Sequence, residues 1–187
     1  MDADLFLLRR IKQGDEAALE TLVRKYYDDI LRYCTFHTAR REDAEDLTQE
    51  TFTRFFAKLS EYRHQGKTKN YLYTIAANLC RNHYKRKQAV PIEDAQLTYF
   101  AGTTSDEETS TTHLLLEWAL DALPVEQREV IILHYYQGLK QREIAEVLEI
   151  SLPLVKYRLR QAKAALQDIL EKEGFTDDAG RTSENGQ

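Results

Sequence analysis

YRHQGKTKNYLYTIAANLCRNHYKRK, residues Tyr62–Lys87, is the stretch on which the reading of this chain turns. It holds Arg63, Lys67, Lys69, Arg81, Lys85, Arg86 and Lys87 and no Asp or Glu, in a chain whose formal net charge is -5. Tyr62, Tyr71, Tyr73 and Tyr84 lie between the cations. Cations neutralise phosphate and flat rings stack on unpaired bases, so the mixture reads as a nucleic-acid surface. A solvated basic helix has the same composition. The spacing separates the two. Leu72, Ile75, Ala76, Leu79 and His83 recur at helical intervals and are expected to face a core. Tyr71, Thr74, Asn78, Arg81, Asn82 and Lys85 fall on the opposite side, which offers stacking, base-edge hydrogen bonds and phosphate neutralisation together. Ahead of the helix, Arg63-His64-Gln65-Gly66-Lys67-Thr68 is a polar loop of a kind able to receive an unstacked base.

Outward from that stretch the chain reads as helical throughout, because only 3 prolines and 7 glycines occur in 187 residues and strand-like alternation is scarce. Leu5, Leu8 and Ile11 predict a short amphipathic helix stopping at Gly14, with Asp15 as N-cap of the next. Leu19, Leu22, Val23, Tyr26, Ile30, Tyr33 and Cys34 form the core stripe of that second helix. A third helix is predicted over Glu42 to Leu59. Ala44, Leu47, Thr51, Phe55 and Leu59 line its inner side, with Phe52 and Phe56 at the flank. Asp46, Gln49, Glu50 and Thr53, at i, i+3, i+4 and i+7, make an acceptor surface on the outer side, suited to arginines of a partner. Val90-Pro91 ends the basic helix. Gly102 to Thr112 carries no apolar side chain and is acidic through Asp106, Glu107 and Glu108, so it is expected to be a flexible linker.

A second unit is expected from His113 to Lys172. Leu114 to Leu123 is one helix, closed by Pro124. Val125 to Gln137 is another, with Val130, Ile131, His134 and Tyr135 inward and Gly138 as its stop. Gln141 to Leu148 is short, with Ile144, Ala145 and Leu148 inward. Ser151 caps a last helix, whose Pro153 sits in the first turn, where no helical partner is lost. Val155, Leu159, Ala162, Leu166 and Leu170 are its buried side. A short helix, a tight turn and a longer helix make a helix-turn-helix. Lys156, Tyr157, Arg158, Arg160, Gln161 and Lys163 point outward from the second of these, and a helix so armed fits the major groove. Gly174 to Gln187 is a polar tail.

Composition limits the remaining possibilities. Hydrophobic content is 42% and charged content 30%, ordinary for a globular chain. No apolar run reaches the ~20 residues of a membrane span. No basic and apolar leader opens the chain, and two cysteines fit a reducing compartment, so the expected location is the cytoplasm, without membrane insertion. No phosphate loop, Ser/His/Asp arrangement or carboxylate pair is placed for catalysis. The expectation is therefore a non-enzyme without a cofactor. Cys34 and His37, and Cys80 and His83, are i, i+3 pairs that could jointly bind zinc. Helical cysteines and histidines are far more often packing groups, so no metal site is assigned.

Three motifs in order resemble a family. Arg41-Glu42-Asp43-Ala44-Glu45-Asp46-Leu47-Thr48-Gln49-Glu50-Thr51-Phe52 is similar to the core-polymerase-binding helix of bacterial sigma factors. Tyr71-Leu72-Tyr73-Thr74-Ile75-Ala76-Ala77-Asn78 resembles the helix of their promoter-melting region. Leu123-Pro124 with Arg128-Glu129-Val130, and Leu139 through Leu166, resemble their C-terminal helix-turn-helix. The plan, with no third folded domain, is that of the extracytoplasmic-function (ECF, group four) sigma factors of the sigma-70 family.

The resemblance implies an all-α chain with a σ2-like domain over 1–88, a linker over 89–112, a σ4-like domain over 113–172 and a tail over 173–187. It implies a promoter-specific initiation subunit. Asp46, Gln49, Glu50 and Thr53 would meet the β′ clamp helices of core RNA polymerase. Arg63, His64, Lys67, Tyr71, Thr74, Asn78, Arg81, Asn82 and Lys85 would hold the melted −10 strand. Lys156, Tyr157, Arg158, Arg160, Gln161 and Lys163 would read the −35 duplex. The β flap of the polymerase and an anti-sigma factor are the other partners it implies. Departures occur at Tyr71, where tryptophan is usual, at Thr74 in place of arginine, at Glu149 in place of a turn glycine, and at Leu152-Pro153-Leu154. A helix-turn-helix regulator with an N-terminal sensor or dimerisation domain is the alternative, in which the acceptor face at Asp46, Gln49 and Glu50 has no purpose.

Overall fold

The computed structural model describes residues 3–64, 66–89 and 118–172. The expected linker from Gly102 to Thr112 and the tail from 173 onward lie outside the described residues. Helix α1 is Ala3–Lys12, and Gly14, at φ 86, turns the chain in a conformation that an L side chain resists. Asp15 then accepts from the Ala18 N–H at 3.1 Å and starts α2, Glu16–Thr35. Helix α3 is Arg41–Ala57 and α4 is Thr68–Ala89.

In the second unit, residues 118–121 are helical and lead to α5, Val125–Ile131, and then a π turn, Ile132–Tyr136. Helix α6 is Gln141–Leu148 and α7 is Leu152–Lys172. All described secondary structure is helical, in two units, as expected.

Leu22, Tyr26, Ile30, Tyr33 and Cys34 of α2 are buried, as their spacing predicts, but Leu19 is exposed one turn earlier. Helix α1 is anchored by a buried carboxylate. Asp4 accepts from the Lys25 ammonium and the Tyr26 hydroxyl. Burial alone would raise the Asp4 pKa, and these hydrogen bonds outweigh it and hold the carboxyl below its usual range. Helix α3 buries Ala44, Thr48, Thr51, Phe52 and Phe55, while Leu47 is only partly covered. Thr48 and Thr51 can be buried because their hydroxyls donate to the Ala44 and Leu47 carbonyls, each at 2.7 Å.

The two units share one continuous core. Tyr33 packs edge-on to Tyr73 at 5.5 Å, and Phe36 packs on Tyr136 at 4.7 Å. Tyr73, fully buried, donates to Gln137 Oε1 at 2.6 Å, and Tyr33 donates to Glu129 Oε1 at 3.2 Å. Glu129 is buried, and burial raises its pKa, against the pull of Arg81 and the Tyr33 hydrogen bond.

The π turn replaces the continuous helix expected over Val125 to Gln137. The Gln137 N–H reaches back five residues to the Ile132 carbonyl at 3.1 Å, which widens the turn. The wider turn buries Ile132 and Leu133 and leaves Tyr135, expected inward, 52% exposed. Gly138, at φ 69, ends the element as expected.

Candidate nucleic-acid and partner interfaces

Helix α3 presents Asp46, Gln49, Glu50 and Thr53 on one outer face, with Glu50 the most covered of the four. They line a groove of about 490 Å³ whose other wall is Asn82, His83 and Arg86 of α4. The Arg54 guanidinium binds Glu50 at 2.6 Å, and the Thr53 hydroxyl donates to the Gln49 carbonyl at 2.9 Å. The groove therefore offers carboxylate acceptors on one side and a cation and an amide on the other. That suits a partner helix carrying arginines and acids together.

Four residues of the expected strand-binding set share one exposed strip of α4: Asn78, Arg81, Asn82 and Lys85. Asn78 Oδ1 accepts from Arg81 at 3.0 Å, and Arg81 also reaches Glu129 at 3.9 Å. The rest of the set is placed differently. Tyr71 is half-buried, stacked on Tyr62 at 4.9 Å and tilted against Phe55 at 5.9 Å. Its ring is part of an aromatic wall with Tyr62 and Phe55. Thr74 donates to its own helix at the Asn70 carbonyl, 3.0 Å away.

In the loop, Arg63 is exposed. His64 Nδ1 lies 3.3 Å from the Thr68 hydroxyl, and Gly66 is at φ 73. Lys67 binds both carboxylate oxygens of Glu146 at 2.7 Å. Tyr73 and Ala77, outside the predicted inner stripe, are buried as well: α6 also packs on α4, and Tyr73 sits between Tyr33 of α2 and Gln137 of the second unit.

On α7, Lys156, Tyr157, Arg160 and Lys163 are exposed, and Arg158 and Gln161 are half-covered. Arg160 stands over the Tyr157 ring at 5.8 Å, and Lys163 over the Tyr135 ring at 5.2 Å. Tyr135 thus joins the outer face of the helix-turn-helix, a residue that the spacing sent inward. Glu149 ends α6 at φ 56 and ψ 41, in the left-handed region. The Ser151 hydroxyl accepts from the Leu154 N–H at 3.4 Å and starts α7 as predicted.

The two Cys/His pairs meet through sulfur, with the Cys80 thiol on Cys34 Sγ at 4.0 Å. Their hydrogen bond, with burial, pushes the Cys80 thiol well up. The His37 ring packs on Tyr33 at 4.5 Å. Burial, aided by Arg128 and Arg81, pushes its pKa down to about 3, so it is neutral near pH 7. Among the described residues no group of three or more His, Cys, Asp or Glu could hold a metal ion. Among them, too, no helix is long and apolar enough to cross a membrane.

The model of sigma-70 region 2 matches residues 22–90, and that of sigma-70 region 4 matches residues 113–166. RNA polymerase sigma factor YlaC of Bacillus subtilis is 31% identical over 167 residues, 83% of this chain and 93% of its own length. The ECF RNA polymerase sigma factor SigE of Mycolicibacterium smegmatis is 31% identical over 168 residues, covering 85% of this chain. The chain belongs to the ECF branch of the sigma-70 family.

This sigma factor spans 65% of the length of SigE. Its fold is that of CnrH, solved in complex with the cytosolic domain of CnrY: the TM-score is 0.72, over 92% of this chain and 99% of that one, at 23% identity. As an RNA polymerase sigma factor it serves promoter-specific initiation of transcription, which removes the reading of a stand-alone helix-turn-helix regulator.

Proposed function

We propose that this sigma factor divides its work among the three surfaces just described. The α3 face at Asp46, Gln49, Glu50 and Thr53 docks on the β′ clamp helices of core polymerase. The loop with Arg63, His64 and Lys67, and α4 with Tyr71, Thr74, Asn78, Arg81, Asn82 and Lys85, captures the non-template −10 strand after melting. Helix α7 lies in the −35 major groove, where Arg160 and Gln161 have the hydrogen-bonding reach for base edges and Lys156, Arg158 and Lys163 the charge for phosphate. Tyr157 covers an apolar base edge beside Arg160. The domains would run 1–88 and 113–172, with 89–112 as the tether, 173–187 as a tail, and the β flap receiving the second domain.

The observation that carries this reading is the α3 groove, where outward acceptors stand opposite Arg86 and Asn82 on a face with no role in the fold's own core. The protein acts in the cytoplasm and does no chemistry of its own; the polymerase supplies that. The sigma factor RpoE was solved with the anti-sigma factor NepR from Bartonella quintana, and an anti-sigma partner is proposed here as well. Asp46→Arg with Glu50→Arg tests the docking face. The pair should abolish co-purification with core polymerase while leaving the helical circular dichroism unchanged. Undiminished co-purification would remove the assignment.

A further inference from the structure

The second unit is docked beside the loop and helix proposed to take the melted strand. Lys67, in the loop before α4, gives its ammonium to both oxygens of Glu146 at 2.7 Å, and Asn70 donates to Glu143 Oε1 at 3.5 Å. Beneath them lie the buried Tyr73–Gln137 bond and the Tyr33–Glu129–Arg81 cluster. On the first unit's side the outer contacts use a cation and an amide, the chemistry that grips phosphate and base edges. On the other side they use carboxylates alone. We propose that this is an autoinhibited arrangement in which Glu143 and Glu146 of α6 occupy the place of the single strand's phosphates, so that docking and strand capture exclude each other.

The inference rests on the −10 reading of the loop and α4. Its energetics suit a latch that a polyanion can release. The Lys67 and Glu146 side chains are 48% and 52% exposed, so water and salt weaken their pairing. The buried Tyr73–Gln137 bond sets the geometry in which they meet. A strand then binds with its affinity reduced by the fraction of molecules that are open.

The test uses the full chain with Glu143→Gln and Glu146→Gln together. Glutamine keeps the N-terminal cap of α6, where Glu143 accepts from the Lys140 N–H at 2.7 Å. Glu149→Gln, which removes an exposed charge from the end of the same helix, is the control. A fluorescein-labelled single-stranded dT oligonucleotide of about 12 nucleotides is the probe. Its affinity is followed by anisotropy at low salt, and the shape of the free chain by small-angle scattering.

The double variant should bind about threefold tighter or more than the control and should have a larger radius of gyration. Equal affinities, whether or not the chain expands, would overturn the occlusion. The −10 assignment fails separately: Asn78→Ala that leaves promoter opening by the reconstituted holoenzyme intact would remove it. An impaired Asn78→Ala beside an unchanged double variant would remove the occlusion alone.

Discussion

Glu149→Gly should stabilise this protein, although it deletes a side chain. Glu149 is the C-terminal residue of the α6 turn and sits at φ 56 and ψ 41. Among the described residues it is the only non-glycine at positive φ. An L side chain there crowds the following carbonyl and costs about 1–2 kcal/mol, which glycine avoids. Glycine in turn enlarges the unfolded ensemble, at about 0.4–1 kcal/mol. A second effect must be separated. A carboxylate at a helix C-terminus opposes the helix dipole, by about 0.3–1 kcal/mol, and any neutral residue relieves it. Glu149→Ala relieves the dipole but keeps the crowding. The Gly variant should therefore exceed the Ala variant by about 0.5–1 kcal/mol in urea unfolding. For a chain of this size that is about 1–4 °C in Tm. The backbone bonds of the turn, Glu149 N–H to Glu146 and Ile150 N–H to Ala145, at 3.3 and 3.0 Å, need no side chain and survive both changes. A Gly variant no more stable than the Ala variant would refute the argument, since it would mean that the turn stores no strain at this residue.

Tyr73→Phe should cost about 1–3 kcal/mol, because it leaves the buried Gln137 Oε1 without its 2.6 Å donor; urea midpoints at pH 7 measure it. Acid should weaken the fold through His37. Its folded pKa is depressed to about 3, so the unfolded chain binds the extra proton below about 6.5. That stability is whole above 6.5 and is lost as pH falls toward 3, at up to about 1.4 kcal/mol per pH unit. Unfolding midpoints across this window should fall less steeply in His37→Gln than in the parent, and identical slopes would count against the mechanism. Arg160→Ala should weaken −35-dependent recruitment by ~1–3 kcal/mol if the guanidinium meets a base, whereas a loss equal across promoter sequences would make it a phosphate contact.

How far the sequence could be read depended on which surface each residue faced. The caps at Asp15 and Ser151 and the stops at Gly14 and Gly138 were legible because they are local backbone chemistry. The helix-turn-helix was legible too, since Ile144, Leu148, Val155 and Leu159 repeat on one stripe and all are buried. Helix α4 shows where periodicity ends. A stripe describes one packed face, but α4 is packed by α2 and α3 and also by α6, and Tyr73 and Ala77 are buried outside the stripe. Tyr71 went from an expected stacking platform to a half-buried ring because Tyr62 and Phe55 close around it, a tertiary event that spacing does not encode.

Tyr135 was sent inward by an α-helical count, and the π turn shifts that count and turns it out. Thr48 shows the reverse error: a polar residue left off the inner side is fully buried, its hydroxyl satisfied within its own helix. Of the surfaces, the α3 acceptor face and the α7 cationic face were readable because both are single-helix patterns. The covering of Lys67 and Asn70 by α6 was not, because it depends on residues 73 to 79 positions away in the chain.

The claim at the centre of this account is that the chain gives RNA polymerase start sites it otherwise lacks. Run-off transcription with purified core polymerase on genomic DNA measures it directly. Discrete transcripts should appear only when the protein is added, share a common upstream sequence, and vanish with Asp46→Arg and Glu50→Arg. Transcription from the same ends with and without the protein would contradict the account.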